Sequence, residues 1–146
     1  MGKYYFEKMC GIPSEVFCAS ELVYSKPLIL DNPCFIFVTQ SGETADSIAV
    51  LKRFKDEGYP IIVISNSKLS TMNMLADYTL DLCAGKEISV ASTKAYTAEV
   101  AVLVVLAFGV LNKNNTLRND LFIVSILLES ILNNSANYEL ASQKLK

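Results

Sequence analysis

The stretch of this chain best suited to chemistry is Thr39 Gln40 Ser41 Gly42 Glu43 Thr44 Ala45 Asp46 Ser47, which is dense in hydroxyls and follows the apolar run Cys34–Val38 directly. It opens into a helical pattern. A helix N-terminus presents unpaired N–H groups and about half a positive charge, and Ser and Thr add donors with little bulk, so the composition suits an anion cradle. Gly42 allows the sharp turn that would make those N–H groups converge. A well-capped helix, with Ser41 as N-cap and Glu43 and Asp46 in the first turn, also accounts for much of it. The hydroxyls are more than a cap requires, yet two carboxylates would repel a phosphate unless they point away. The residues themselves leave both readings open.

A second polar cluster, Ala84 Gly85 Lys86 Glu87 Ile88 Ser89 Val90 Ala91 Ser92 Thr93 Lys94 Ala95 Tyr96 Thr97, also leads into a helix. Ser92 suits its N-cap, and Lys94 either offers a point charge to a phosphate or solvates the first turn. The turn Ser65 Asn66 Ser67 Lys68 Leu69 Ser70 is polar without distinctive order, and no chemistry is assigned to it.

These turns need elements to hold them. Lys3–Met9 reads as the end of an amphipathic helix with Tyr5, Phe6 and Met9 inward, stopped by Gly11 and Pro13, and Glu15–Cys18 as a short strand. Cys34–Val38 and Ile61–Ile64 have the continuous apolar character of strands covered on both faces. Between them, Thr44–Glu57 carries Ala45, Ile48, Leu51 and Phe54 at spacings of three, with Gly58 placed to end the helix. A short helical turn is expected over Ser70–Ala76, a strand over Tyr78–Leu82, and helices over Thr93–Leu111 and Leu117–Asn133. The last carries Leu117, Leu121, Val124, Leu128 and Ile131 along one stripe. Such alternation predicts an α/β fold, a three-layer αβα sandwich around a parallel sheet. Ligands of such sheets sit beyond the carboxyl ends of the strands, here just after Val38, Ile64 and Leu82.

Composition narrows the chemistry. The 146 residues include no histidine, which removes the commonest metal ligand and the commonest base near neutral pH, and with them zinc-hydrolase and Ser-His-Asp readings. Thirteen basic residues against fifteen acidic ones form no stripe for nucleic acid. The apolar run Val100–Leu111 is short of the roughly 20 residues a membrane span needs, and the opening residues carry no secretion signal, so a cytoplasmic address is expected. The four cysteines lack CxxC spacing and are expected to be small core residues. No metal and no cofactor is assigned.

Two blocks carry a resemblance. Thr39 Gln40 Ser41 Gly42 Glu43 Thr44 Ala45 Asp46 Ser47 is similar to the S-Q-S-G-E-T-A-D-T signature of sugar isomerase (SIS) domains. Glu87 to Thr97 resembles E-I-G-V-A-S-T-K-A-F-T of the first SIS domain in the glutamine–fructose-6-phosphate aminotransferases, and Ala19 Ser20 Glu21 resembles an A-S-E-F stretch upstream. The resemblance implies a flavodoxin-like sheet ordered 2-1-3-4-5. It also implies that Thr39, Gln40, Ser41, Gly42 and Thr44 hold the phosphate of a hexose 6-phosphate such as fructose 6-phosphate or glucosamine 6-phosphate. Val90 and Ser92 would then lie along the sugar. Thr39 stands where the family has Ser and keeps the hydroxyl; Ser89 stands where it has Gly.

The same resemblance implies a partial domain over 1–133, with 134–146 a linker or helix start. The family's first strand with its C-G-T-S turn has no match here, nor do its catalytic glutamate, histidine and lysine or its glutaminase domain. No catalytic residue is therefore assigned, and turnover by this chain alone is not expected. Loss of a central strand would leave open sheet edges, so a homo-oligomer is expected. Two alternatives remain: a non-catalytic sugar-phosphate sensor, and part of a related sugar-phosphate deglycase.

Overall fold

A computed structural model describes residues 1–29, 31–86, 92–111 and 114–133, without the side chains of 114–116. The elements, in order, are α1 (Gly2–Cys10), α2 (Ala19–Leu22), β1 (Phe35–Val38), α3 (Ala45–Asp56), β2 (Ile61–Ser65), α4 (Thr71–Leu75), β3 (Tyr78–Asp81), α5 (Lys94–Val110) and α6 (Asn114–Asn133). The chain divides into two compact units, Met1–Ala107 and the part from Phe108 onward.

In the first unit the three strands form one parallel sheet in the order β1-β2-β3. Phe35 pairs with Ile61 and Val38 with Ile64, while Ile62 pairs with Tyr78 and Ser65 with Asp81. Each return between parallel strands needs a crossover, which α3 and α4 supply. The α/β sandwich expected from the alternation is present.

Alternation along β2 sends Ile61 and Val63 to one face, where they meet Val50, Leu51 and Phe54 of α3, Met72 of α4 and Leu22 of α2. The Phe35 ring stacks on Phe54 with centroids 3.8 Å apart, and Tyr59 closes the cluster at 5.4 Å from Phe35. On the other face Ile64 is fully buried. The α1 helix runs against α5: the Cys10 thiol donates to the Ala107 carbonyl at 3.3 Å, and a Cβ on Gly2 would lie 3.2 Å from Leu103 Cδ1.

Several expectations need correction. Glu15–Cys18 is not a strand; Val16 and Phe17 are exposed there, because no strand among the described residues offers it ladder bonds and a strand exists only when paired. Of the strands expected to be buried on both faces, β2 is buried almost throughout, while β1 is half-buried because one edge carries no strand among the described residues. In α1 only Phe6 is buried, and Met9 is exposed. The cysteines are not core residues either: Cys18, Cys34 and Cys83 are exposed and Cys10 is half-buried.

Taken by itself, the second unit is dominated by α6, the helix that carries the apolar stripe expected from Leu117 onward. The Leu117 side chain is buried, whereas Leu121, Val124, Leu128 and Ile131 of the same stripe are exposed. No helix among the described residues is long and apolar enough to cross a membrane.

Candidate functional site

Beyond the carboxyl end of β1 the chain turns once before α3, and each of its polar groups has a definite place. Thr39 continues the sheet by donating its N–H to the Ile64 carbonyl at 3.0 Å, and its Oγ1 accepts the Gly42 N–H at 3.1 Å. Ser41 Oγ accepts the Glu43 N–H at 3.2 Å. The two hydroxyl oxygens thus shape the turn, and each retains its own O–H to donate outward.

Gly42 is what allows the turn to close. Its φ is +68°, a conformation that L side chains rarely adopt, and a Cβ there would fall 2.6 Å from Ser70 Cβ and closer still to Ser70 Oγ. The Gly42 carbonyl accepts the Met72 N–H at 3.2 Å, joining the turn to α4.

The N-cap position of α3 belongs to Thr44, not to Ser41 as the sequence suggested, because the turn at Gly42 delays the start of the helix. The Thr44 hydroxyl makes no cap bond, and Ile48 N–H to Thr44 carbonyl is the first helical bond. The N–H groups of Ala45, Asp46 and Ser47 therefore have no intrahelical partner, and they carry the positive end of a 12-residue helix.

Of the two acidic residues near the turn, Glu43 is bonded to another element. Its carboxylate turns away from the turn and accepts the Thr71 N–H at 2.7 Å, which holds its pKa below the usual carboxylate range. It caps α4 rather than facing an anion. Asp46 is exposed in the first turn of α3.

An open cleft of about 700 Å³ lies at the ends of all three strands, lined by Gln40, Asn66, Lys68, Asp81, Cys83, Gly85 and Lys86. The lining includes two lysines and one carboxylate. Lys68 pairs with Asp81 at 3.2 Å, and Asp81 also accepts the Cys83 N–H at 2.9 Å; this backbone bond, followed by Lys68, holds its pKa down.

Of the sequence-predicted site residues, Thr39, Gln40, Ser41, Gly42 and Thr44 lie together on the β1–α3 turn, and Gln40 also lines the cleft. Ser92 is exposed just before α5, where Thr93 rather than Ser92 supplies the carbonyl for the first helical bond, to Thr97. Val90 lies outside the described residues, as do Glu87, Ile88, Ser89 and Ala91. Lys94 does more than solvate the first turn of its helix: its ammonium donates to the Lys86 carbonyl at 2.6 Å.

The Ser65–Ser70 turn, to which no chemistry was assigned, supplies two lining residues, Asn66 and Lys68, and the surface against which Gly42 closes. Its sequence signal was only its place after a buried strand, which is where the topology puts ligand sites. Among the described residues no cluster of His, Cys, Asp or Glu could hold a metal ion.

Comparison with known proteins agrees with this geometry. Residues 1–108 match the SIS domain model. The chain is 46% identical over 144 residues to the glutamine–fructose-6-phosphate aminotransferase of Shouchella clausii, a match covering 95% of this chain and 24% of the relative. The chain spans 18% to 24% of the length of the curated relatives it matches first. Among solved structures, the C-terminal domain of glucosamine-fructose-6-phosphate aminotransferase from Francisella tularensis superposes with a TM-score of 0.84 at 28% identity, over 97% of this chain and 42% of that one. The Vibrio vulnificus NanR protein, complexed with ManNAc-6P, shares the fold with a TM-score of 0.59 at 17% identity, over 91% of this chain and 51% of that one. With the family model matching well over half of its length, the chain belongs to the SIS domain family.

Proposed function

We propose that this chain is a phosphosugar-binding module of a glucosamine-6-phosphate synthase type protein, and that it holds the phosphate of a hexose 6-phosphate on the turn Thr39–Thr44. One observation carries the reading: Glu43 is drawn off to the Thr71 N–H, so the uncapped start of α3 and the hydroxyls of Thr39, Ser41 and Thr44 share a turn with Asp46 as its only other acidic side chain. A phosphate there meets helix N–H groups and O–H donors, the chemistry that suits an oxyanion. Gln40, between the turn and the cleft, is placed to meet the sugar, and Ser92 and Val90 would follow further along it. The similarity to aminotransferases named for fructose 6-phosphate supports this class of ligand.

Binding is expected to be weak and turnover absent, since no residue of the sequence matches the family's catalytic glutamate, histidine or lysine. Titration of the labelled chain with glucosamine 6-phosphate is expected to move the amide resonances of Ser41 and Thr44. Shift changes confined to other loops would reject the site. Glucosamine 6-phosphate forming from fructose 6-phosphate, with host enzyme excluded, would reject the inactivity.

A cytoplasmic protein that self-associates completes the proposal. Ile36 and Val38 present their backbone groups to the open edge of β1, because Phe35 and Thr39 already donate toward β2. Exposed Phe122, Ile123 and Leu127 add apolar surface on α6. Sedimentation is expected to show a dimer or larger species; a monomer that unfolds cooperatively at a high midpoint would contradict this.

A further inference from the structure

We propose that Asn66 is a positioning residue that holds the two walls of the cleft in register, so that a phosphosugar bound on the Thr39–Thr44 turn also meets the Cys83–Lys86 wall. The inference rests on the phosphosugar reading and extends it to a residue outside the turn. Asn66 follows β2, the central strand, and reaches both neighbours. Its backbone N–H donates to the Gln40 carbonyl at 3.1 Å. Its side-chain amide donates to the Gly85 carbonyl at 2.6 Å and accepts the Ala84 N–H at 3.1 Å. One residue thus joins the ends of all three strands, using the donor and the acceptor of a single amide on the same segment.

That segment needs a clamp. Cys83 has φ +52° and Gly85 φ +67°, so two residues out of three are left-handed, and a non-glycine residue held there is strained. Among the described residues, two side chains bond to the backbone of Cys83, Ala84 and Gly85: Asp81, which takes the Cys83 N–H, and Asn66, which takes the next two groups. Asp81 belongs to the same strand end as the segment and cannot relate it to β1. Asn66 can, because its own backbone is fixed to Gln40. The segment behind it is rigid as well: Ser65 donates to Asn73, Asn73 donates to the Ser67 carbonyl at 2.9 Å, and Ser65 and Ser70 are buried.

The test is an amide-resonance titration of the whole chain with glucosamine 6-phosphate, on the native sequence and on Asn66→Leu and Asn66→Asp. With the native residue, resonances on both walls are expected to move together, Ser41 and Thr44 on one side and Ala84, Gly85 and Lys86 on the other. Asn66→Leu removes both side-chain bonds and keeps the branching of the side chain; Ser41 and Thr44 should still respond, the 84–86 response should vanish, and affinity should fall about tenfold. A purely structural role would weaken both walls alike. Asn66→Asp keeps the acceptor for Ala84 but sets a carboxylate oxygen against the Gly85 carbonyl, so the 84–86 response should again be lost, and it carries the test should Asn66→Leu fail to fold. Both walls responding in the variants with unchanged affinity would overturn the positioning role and leave the phosphosugar reading standing. A native chain in which Ser41 and Thr44 do not respond would overturn that reading itself, and this inference with it.

Discussion

The turns after β1 and β2 are built from the same kinds of residue and are used in opposite ways. After β1, Thr39 and Ser41 spend their oxygens on local N–H groups and keep their O–H donors, while the α3 N-terminus stays uncapped. After β2, the polar groups are turned inward: Ser65, Ser67, Ser70 and Asn73 bond to one another, Ser70 caps α4 by accepting the Asn73 N–H, and Asn66 ties both neighbouring strands. The first turn keeps donors that the proposed ligand would use, and the second serves as its foundation. What separates them is whether the donors remain unspent, not how many hydroxyls each contains.

The contact between the two turns should be the most sensitive point. Gly42→Val forces a β-branched residue into φ +68° and drives its Cβ into Ser70. A loss of about 3 kcal/mol or more is expected in urea unfolding. Adding Ser70→Gly should recover the part due to collision and leave the part due to backbone strain. A Gly42→Val protein as stable as the native one would mean that the turns do not close on each other.

Asn73→Ala tests the foundation. It removes two bonds of the inward network and leaves the Ser65 hydroxyl, buried with its residue at 1% exposure, with the longer bond to the Ser67 carbonyl at 3.2 Å. Unfolding measurements should show a loss of about 1 to 3 kcal/mol. Ser41→Ala, the matching change in the first turn, should alter stability by roughly 0.5 kcal/mol or less because Ser41 is only half-buried and makes one bond, yet it should weaken sugar-phosphate binding. Equal stability losses from both would erase the distinction between the turns.

The smallest effect concerns pH. Glu43 is held below its usual range by the Thr71 N–H, Asp77 by the Ile61 N–H and then Lys55, and Asp81 by the Cys83 N–H and then Lys68. A lowered folded-state pKa contributes stability that is complete above the unfolded value and is lost as pH falls through the folded one. The thermal midpoint should therefore hold from neutrality to about pH 5 and decline below about pH 4, where carboxylates ordinarily titrate. Glu99, raised by burial, works in the opposite direction and should blunt the decline. Glu43→Gln should flatten the acid limb, and an unchanged limb would mean that the Glu43 bond to α4 contributes nothing in solution.

Much of this molecule could be read from the order of its residues. Apolar runs at Cys34–Val38 and Ile61–Ile64, the three-residue spacing of Ile48, Leu51 and Phe54, and Gly58 are local signals, and β1, β2 and α3 fall within a residue or so of where those signals put them. The β1–α3 turn was legible for the same reason, since its hydroxyls and Gly42 are contiguous. Glu15–Cys18 was not, because its apolar pattern is that of a strand and only a neighbouring strand could have made it one. The α6 helix was legible as a helix with an apolar stripe, but periodicity only defines a face, and whether something covers that face depends on its neighbours. The direction of Glu43, the removal of Lys94 to the Lys86 carbonyl and the fork of Asn66 were decided only by tertiary structure. Glu43 and Asn66 reach groups 28 and 19 positions away, brought together by the parallel sheet, which sets the ends of successive strands side by side, and Lys94 reaches 8 positions back across the connection from β3.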